Sequence, residues 1–266
     1  MSKPKKLVFF DIDGTLLDHN KEIPSSAKEA IRELRSEGHE AAIATGRAPF
    51  LFKEIREELG IDTYVSLSGQ YVVYRNEVVY ANPVSRQLLE QLTADVVMND
   101  QPILYLDEID MKMNVEQHAR VDSSYGPLKI PLPGCDPGYY AERDIYQAIV
   151  FCTAEEEGFY LNKYANKLQF VRWGDHAVDV LPMGGSKAAG IAHLIRRLGK
   201  KPEDAVAFGD HLNDLEMLQY VGHGVAMGNA LPIVKEVASH VTTDVDRDGI
   251  LHGLRHLGLI RAANVS

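Results

Sequence analysis

Two aspartates separated by one residue follow a short apolar segment near the start of the chain. The segment 6–10 is rich in β-branched and aromatic residues, which predicts a buried strand, and Asp11 and Asp13 come directly after it. Carboxylates at such a position can act as a nucleophile, as a general acid and base, or as ligands of a divalent cation. For two acids alone, a solvated turn is the simpler interpretation. The pattern Asp-x-Asp-Gly-Thr from Asp11 to Thr15, with position 12 free, is expected by chance on the order of once in several hundred chains of this length, which favours chemistry.

Three further segments carry polar groups at equivalent places in the pattern. Each follows a predicted strand or opens a predicted helix, and they are Thr45-Gly46-Arg47, Gly184-Gly185-Ser186-Lys187 and Gly209-Asp210-His211-Leu212-Asn213-Asp214. Each is weak alone, because Thr-Gly is common in turns, a helical lysine is usually exposed, and Asn213 could cap the next helix. Ligands of open α/β sheets bind at the carboxyl ends of the strands. The four segments in this order therefore predict one site at that edge.

The elements around these segments predict the sheet that must hold them. Strands over 40–44 and 205–208 alternate with helical segments, which is typical of βαβ units and a parallel sheet. The pattern changes over 83–183, where strands come in adjacent pairs. We therefore predict an α/β fold with a doubly wound, Rossmann-like parallel-sheet core formed by 1–82 and 184–266. The inserted segment is predicted to be an α+β cap domain.

Composition argues against several classes of partner. The chain has 266 residues, a formal net charge of -10 and a pI of about 5.5. Such a charge argues against a nucleic-acid backbone or an anionic membrane as the main partner, since both select basic surfaces. The two cysteines, Cys135 and Cys152, lie in no CxxC motif, and the apolar run at 7–10 is too short to span a membrane. We therefore expect a cytoplasmic protein.

Together, the four polar segments resemble the motifs of the haloacid dehalogenase-like (HAD) hydrolase superfamily. The long insert between the second and third segments is similar to that of the Cof-type sugar-phosphate phosphatase branch, whose members carry a large α+β cap (type IIB). The phrases SKAAGIAHL, GDHLNDLEML, GVAMGNA and DGILHGL are also similar to that branch, and the resemblance covers essentially the whole chain. One difference follows the third strand, where Ser68-Gly69-Gln70 stands in place of the Asn-Gly-Ala common in such proteins.

The resemblance implies a phosphatase that acts on small phosphorylated metabolites, and the physical chemistry of the residues agrees. A phosphate monoester is a dianion, so an attacking carboxylate needs a cation to offset repulsion, and Mg²⁺ suits carboxylate and phosphate oxygens. Asp11 is the expected nucleophile, which would carry an aspartyl-phosphate, and Asp13 is the expected general acid and base. The expected Mg²⁺ ligands are Asp11, Asp210 and, by resemblance, the backbone carbonyl of Asp13.

The remaining groups are expected to bind the phosphoryl group or to orient the others. Lys187 is expected to add positive charge beside Asp11. The expected phosphate donors are the Thr45 hydroxyl, the N–H groups of Gly46 and Ile12, and the Asn213 amide. Asp214 is expected to orient its neighbours. The insert is expected to act as a hinged lid that supplies substrate specificity, and its Pro/Gly-rich stretch at 126–138 is expected either to reach toward the substrate or to lie in solvent.

Two other functions stay open alongside the phosphatase. A phosphomutase of the same superfamily would need a cap that keeps water away from a bisphosphate intermediate. A phosphoryl-accepting switch or a phosphoester-binding module would not need so long an insert, nor an acid–base group at Asp13. Other candidate groups have simpler interpretations as surface or core residues, and they are His252, His256, Tyr125, Tyr139, Tyr140 and Trp173.

Overall fold

The computed structural model describes residues 5–126 and 132–261. The strands are β1 (Leu7–Phe10), β2 (Glu40–Ala44), β3 (Tyr64–Ser66), β4 (Tyr71–Tyr74), β5 (Glu77–Ala81), β6 (Ile103–Leu106), β7 (Met111–Met113), β8 (Gly134–Cys135), β9 (Gln147–Phe151), β10 (Leu168–Arg172), β11 (Ala177–Pro182), β12 (Ala205–Gly209), β13 (His223–Ala226) and β14 (His240–Val241). The α-helices are α1 (Ser25–Ser36), α2 (Lys53–Leu59), α3 (Arg86–Met98), α4 (Ala119–Tyr125), α5 (Ala154–Lys163), α6 (Lys187–Arg197), α7 (Leu215–Tyr220), α8 (Pro232–Val237) and α9 (Gly249–His256). Within the described ranges, no helix has both the length and the apolar character that crossing a bilayer requires.

The described residues form two compact units. The first contains the chain up to Gly46, Lys53–Tyr80 and the chain from Ser186 onward, whereas the second contains Arg47–Phe52 and Ala81–Gly185. Each unit has its own sheet and its own buried apolar core. In sequence, therefore, the second unit interrupts the first.

The first unit is built on an eight-stranded sheet in the order β14-β13-β12-β1-β2-β3-β4-β5. The strands from β14 to β3 are parallel, whereas β4 runs antiparallel to β3. Arg75 and Asn76, with left-handed backbone (φ 49° and 64°), form the turn into β5. Helices α6, α7 and α8 pack on one face of the sheet, and α1 and α9 lie on the other. The predicted doubly wound parallel core is thus confirmed.

The register of the central strands aligns their carboxyl ends. Phe10, at the end of β1, pairs with Ile43 of β2 and with Phe208 of β12. The polypeptide of β1 is buried along its whole length, as its unbroken apolar sequence predicts. One edge of the sheet therefore carries the polar residues just beyond these strands, Asp11, Thr45 and Asp210.

The second unit has a six-stranded sheet in the order β10-β11-β9-β6-β7-β8. Its strands pair in antiparallel fashion except for β7 and β8, which are parallel. Helices α3 and α5 cover one face, where Leu89, Val96 and Tyr160 belong to the same buried core as Tyr105 and Val150. The inserted α+β fold predicted from sequence is therefore confirmed.

Two elements of the second unit lie where the sequence predicts no regular structure. Helix α4 begins after His118, whose Nδ1 accepts the N–H of Arg120. Strand β8 consists of two residues and pairs with β7. Neither element is long enough to show the periodic spacing of apolar residues that predicts a helix or a strand. Both also lie in or next to a Pro/Gly-rich sequence, which favours a loop. The predicted loop at 126–138 lies partly outside the described residues.

Candidate active site

Polar residues from the predicted segments gather at the carboxyl edge of the parallel sheet in the first unit. Asp11 follows β1, Asp210 follows β12, and Lys187 is the first residue of α6. Carboxylate oxygens of Asp11, Asp210 and Asp214 lie within 4.8 Å of one another. The edge thus holds a compact group of three acids.

Lys187 is buried among these acids. Only 1% of its surface is exposed, and its Nζ lies 2.5 Å from Oδ1 of Asp11 and 2.7 Å from Oδ1 of Asp214. Its burial excludes the alternative that Lys187 is an ordinary exposed helical lysine. The start of α6 places the lysine, because the Ser186 hydroxyl accepts the N–H of Ala189 and caps the helix.

Asp214 is fully buried and uses both carboxylate oxygens within the protein. Oδ1 accepts from Lys187, and Oδ2 accepts the N–H groups of Asp210 (2.9 Å) and His211 (3.0 Å). These bonds hold the turn between β12 and α7, which carries Asp210. Asp214 therefore links the orientation of the Lys187 side chain to that of the Asp210 backbone.

The carboxylate of Asp210 is held against the loop that follows Asp11. The Thr15 hydroxyl donates to its Oδ1 at 2.9 Å. Gly14 has φ +84°, and a Cβ atom there would lie 2.3 Å from Oδ2 of Asp210. Glycine alone suits both this backbone and this space. In the sequence, Thr15 stands out only as the last residue of the segment from Asp11 to Thr15. Its contact with Asp210 is visible only in the folded structure.

Asn229 joins the same loop to a distant part of the chain. Its Nδ2 donates to the Gly14 carbonyl at 2.8 Å, and its Oδ1 accepts the N–H of Val245 at 2.9 Å. Sequence reasoning missed this residue, whose only signal is its place in the GVAMGNA segment. Because both bonds are to backbone groups, Asn229 positions the loop.

Burial dominates the electrostatics of the cluster. Desolvation raises the pKa of Asp11 to about 8, although the charge of Lys187 opposes the shift. Desolvation and the neighbouring charge of Asp214 raise the pKa of Asp210 to about 6. Burial by itself lowers the pKa of Lys187, but the charges of Asp11 and Asp214 outweigh it and raise that pKa. Three carboxylates around one ammonium therefore leave an excess of negative charge when all are ionised.

This excess of negative charge fits a divalent cation. Hard oxygen donors are the ligands that Mg²⁺ prefers, and a nearby positive charge favours the ionised form of buried carboxyl groups. Asp214 already bonds through both of its oxygens, so Asp11 and Asp210 are the side chains left to hold an ion. The donor set therefore fits the expected Mg²⁺ site.

Asp13 differs from the buried acids in its exposure. Its side chain is 43% exposed, and the Nζ of Lys21 lies 2.7 Å from its Oδ1. Lys21 is placed by a turn in which Asp18 accepts the N–H groups of Asn20 and Glu22. An exposed carboxylate two residues after Asp11 is accessible to an alcohol or a water molecule, as a general acid and base must be.

Thr45 and Gly46 lie beside an unusual turn. The N–H of Thr45 donates to Val65, and its carbonyl accepts the N–H of Ser68. Leu67 and Ser68 both have left-handed backbone (φ 50° and 52°), which is uncommon for residues other than glycine. The turn places the Ser68 hydroxyl close to Gly46. If residue 46 had a Cβ atom, that atom would lie 3.4 Å from the hydroxyl oxygen. Ser68 is thus a further polar group beside this loop.

Ile12 and Asn213 occupy contrasting positions. Ile12 is buried, and its carbonyl accepts the N–H groups of Leu16 (3.0 Å) and Leu17 (2.8 Å), so the chain turns sharply after Asp11. Asn213 is exposed on the 3-10 turn Leu212–Asp214. The helix-cap interpretation of Asn213 is wrong, because the residue at the N-cap of α7 is Asp214.

The two histidines spaced four residues apart on α9 contact different groups. His252 contacts the Thr243 hydroxyl through Nδ1 at 2.9 Å. His256 stacks on His240, with ring centroids 3.7 Å apart and nearly parallel planes. Each ring therefore has a separate structural contact.

The chain is similar to known proteins over most of its length. A family model described as haloacid dehalogenase-like hydrolase matches residues 8–254. The Bacillus subtilis (strain 168) protein YkrA is 45% identical over 256 residues, which cover 96% of this chain and 99% of that protein. The crystal structure of a hypothetical protein from Geobacillus kaustophilus HTA426 has a TM-score of 0.92 at 50% identity, with 96% of this chain and 100% of that chain covered. The structure of an HAD subclass IIB sugar phosphatase has a TM-score of 0.82 at 32% identity, with 96% and 100% covered.

These similarities extend over almost the whole chain and include both units. Four of the residues that carry the resemblance in sequence lie together at the edge of the parallel sheet, and they are Asp11, Lys187, Asp210 and Asp214. The chain therefore belongs to the haloacid dehalogenase-like hydrolase family.

Proposed function

We propose that this protein is a Mg²⁺-dependent phosphatase of small phosphorylated metabolites that works through an aspartyl-phosphate on Asp11. The observation that carries the proposal is the contact of the buried Asp11 carboxylate with the Lys187 ammonium, beside the carboxylate of Asp210. A carboxylate can attack a dianionic phosphate only where positive charge offsets the repulsion. The ammonium of Lys187 supplies one positive charge, and the carboxylates of Asp11 and Asp210 are suited to bind a metal ion that supplies more.

The reaction takes two steps. In the first, an oxygen of Asp11 forms a bond to phosphorus while the bond from phosphorus to the ester oxygen breaks, and Asp13 gives a proton to the departing alcohol. In the second, Asp13 takes a proton from water, whose oxygen attacks phosphorus and releases inorganic phosphate from Asp11. The exposure of the Asp13 side chain supports this assignment, since an alcohol and a water molecule must both reach it.

The side chains of Asp11 and Asp210 and the carbonyl of Asp13 would hold the Mg²⁺ ion. When bound, the ion supplies positive charge that offsets the repulsion between the nucleophile and the phosphate oxygens. Thr15 and Gly14 restrain the carboxylate of Asp210, so little rearrangement of that side chain is needed for binding.

The phosphoryl oxygens need donors as well as the ion. Lys187 is proposed to stabilise their charge, and Asp214 keeps the lysine oriented through its bond to Nζ. The other proposed donors are the Thr45 hydroxyl, the N–H groups of Gly46 and Ile12, and the Asn213 amide.

The substrate is proposed to be a sugar phosphate or a similar small metabolite. The likeness to an HAD subclass IIB sugar phosphatase supports this class. The net charge of -10 supports a small molecule rather than a nucleic acid or a membrane surface as the partner. Both cysteines are free, which supports a reducing, cytoplasmic location. Because the groups at the sheet edge of the first unit suit the phosphoryl group, we assign the choice of organic group to the second unit.

Hydrolysis of an aryl phosphate in the presence of Mg²⁺ tests the proposal. The wild-type protein should be active, EDTA should remove the activity, and Asp11→Asn should lose at least about 10²–10⁴-fold in kcat/KM. The matched control is Asp246→Asn, which changes an exposed carboxylate in the same unit and should keep the activity. Near wild-type activity of Asp11→Asn, or indifference to EDTA, would refute the mechanism. A strict requirement for a sugar bisphosphate activator would identify a phosphomutase instead.

A further inference from the structure

The loop between β1 and α1 is folded back on itself. The N–H of Gly14 donates to the carbonyl of Leu17 at 3.0 Å, and Asp13 forms an isolated parallel bridge with Leu17. The side chains of Leu17 and Ile23 are buried, whereas residues 19–22 are exposed. Buried apolar side chains therefore anchor the loop on both sides of an exposed tip.

Lys21 has a fixed backbone in that tip. Its φ is 67°, a left-handed conformation that is uncommon for residues other than glycine. Oδ1 of Asp18 accepts the N–H groups of Asn20 and Glu22, at 2.8 and 2.9 Å. The carbonyl of Asp18 accepts the N–H of Lys21 at 3.0 Å. An unfavourable backbone conformation persists only where the surrounding structure imposes it, and such residues are frequent at functional sites.

The ammonium of Lys21 pairs with one particular acid. Lys21 lines a groove together with three glutamates, Glu22, Glu54 and Glu58. Within the described parts of the chain, however, the acid that forms an ion pair with Lys21 is Asp13, whose Oδ1 lies 2.7 Å from Nζ. The turn thus directs the lysine to the residue proposed as general acid and base.

Asp13 lies within electrostatic range of the buried acids at the sheet edge. Burial raises the pKa of Asp210 to about 6, and the charges of Asp214 and Asp13 add to that shift. The carboxylate that Lys21 contacts therefore belongs to the same group of charges as an expected metal ligand.

We propose that Lys21 is a positioning residue that holds the Asp13 carboxylate for the second step of the reaction, and this inference rests on the proposed phosphatase function. In that step the oxygen of water forms a bond to phosphorus, the bond from phosphorus to Asp11 breaks, and a proton of the water passes to Asp13. A carboxylate must be ionised to accept this proton. The ammonium of Lys21 holds that ionised form through charge as well as through a hydrogen bond.

The same contact contributes less to the first step. There Asp13 gives a proton to the departing alcohol, so it begins as an uncharged carboxyl group, which an ammonium attracts much less strongly. Ion pairs between partly exposed side chains contribute little to stability, so the loss of this one should leave the fold intact. Removing the lysine should therefore slow one step of the reaction selectively.

A substrate whose leaving group needs no proton separates the two steps. With 2,4-dinitrophenyl phosphate and saturating Mg²⁺, kcat/KM reports the formation of the aspartyl-phosphate, and kcat reports its hydrolysis. Lys21→Met should lower kcat by about 10-fold, a part of the roughly 10²–10⁴-fold that a general base contributes, and should leave kcat/KM unchanged. Intact-mass spectrometry of quenched reactions should show more phosphorylated protein at steady state in this variant than in wild type.

Three further variants complete the experiment. Lys21→Arg keeps the charge on the same backbone and should retain most of the wild-type kcat. Lys28→Met removes a lysine of similar side-chain exposure (36% against 39%), whose partner is Glu58, and should change neither constant. When Asp13→Asn is already present, Lys21→Met should have no further effect, because the base that it positions is absent.

The role of Lys21 is overturned if Lys21→Met leaves kcat unchanged, if kcat/KM falls together with kcat, or if Lys21→Arg loses as much as Lys21→Met. An equal loss of kcat when Asp13→Asn is already present also overturns it, because the lysine would then act on a group other than Asp13. If no phosphorylated protein forms in wild type or in Lys21→Met, or if the phosphoryl group lies on a residue other than Asp11, the proposed function itself is refuted.

Discussion

The ammonium nitrogen of Lys187 lies 2.5 Å from Oδ1 of Asp11, at a place where both residues are almost inaccessible to solvent. The lysine reduces the energetic cost of burying the carboxylates around it, and it can also stabilise charge on a phosphoryl group. The contribution of this charge to stability and its contribution to chemistry can be separated by experiment.

Replacing Lys187 with Met should lower phosphatase activity by about 10²-fold or more and destabilise the first unit by about 3–5 kcal/mol, because buried acids lose their partner. Mg²⁺ should restore part of the stability, since the ion supplies positive charge, but not the activity. Thermal unfolding with and without Mg²⁺ and aryl phosphate hydrolysis measure the two effects. Lys53→Met, which changes an exposed lysine on α2, is the control. Wild-type stability of Lys187→Met would contradict the role of the contact.

Gly14→Ala should weaken metal binding. The added methyl group would lie 2.3 Å from Oδ2 of Asp210, and the φ of +84° strains any residue with a Cβ atom. We expect the Mg²⁺ concentration for half-maximal activity to rise by about 10-fold or more. Gly158→Ala is the matched control, because nothing lies within 4 Å of its Cβ position, and in helix α5 it should be neutral or stabilising. An unchanged Mg²⁺ requirement in Gly14→Ala would argue against Asp210 as a ligand.

Asn229→Ala should impair catalysis without removing any group from the buried cluster. The substitution removes the bond to the Gly14 carbonyl and the bond from the Val245 N–H, so the loop after Asp11 loses a restraint. We expect kcat to fall by about 10-fold and the Mg²⁺ requirement to rise. Asn229→Asp keeps an acceptor for Val245 but loses the donor to Gly14, and comparing the two variants separates the bonds. Wild-type kinetics in Asn229→Ala would show that the loop does not need this support.

Asp179 predicts a pH dependence of stability. Its pKa of about 7 in the folded protein lies above the ordinary value of 3.8, so between these values the native state binds more protons than the unfolded state. The stabilisation associated with its protonated form is therefore fully present below about pH 4 and is lost as the pH rises through about 7. Between pH 5 and pH 8, the Tm of wild type should fall relative to that of Asp179→Asn. Parallel profiles for the two proteins would show that the carboxyl group is not perturbed.

The main features of the fold and the site can be predicted from sequence because their signals are local. The apolar run of β1 before Asp11 predicts a buried strand with an acid at its end, and the alternation of strands and helices predicts the parallel core. The paired strands of the insert predict an α+β unit. Elements of a few residues, such as β8, escape prediction because they have no measurable period.

Contacts between distant segments escape prediction for a different reason. The Thr15 hydroxyl reaches Asp210 across 195 residues of sequence, and Asn229 reaches Gly14 across 215. Neither contact has a local signal, because each depends on which strands are neighbours in the sheet.

The sequence by itself determined the chemical types available at the strand ends: a pair of acids after β1, a lysine at the start of α6 and further acids after β12. Only the tertiary structure decided their roles relative to one another. It buried Lys187 between Asp11 and Asp214, left Asp13 exposed, and set Gln147 beside Asp179. The physical reason is that strand order and register fix distances between segments, whereas local propensity fixes only the segments themselves.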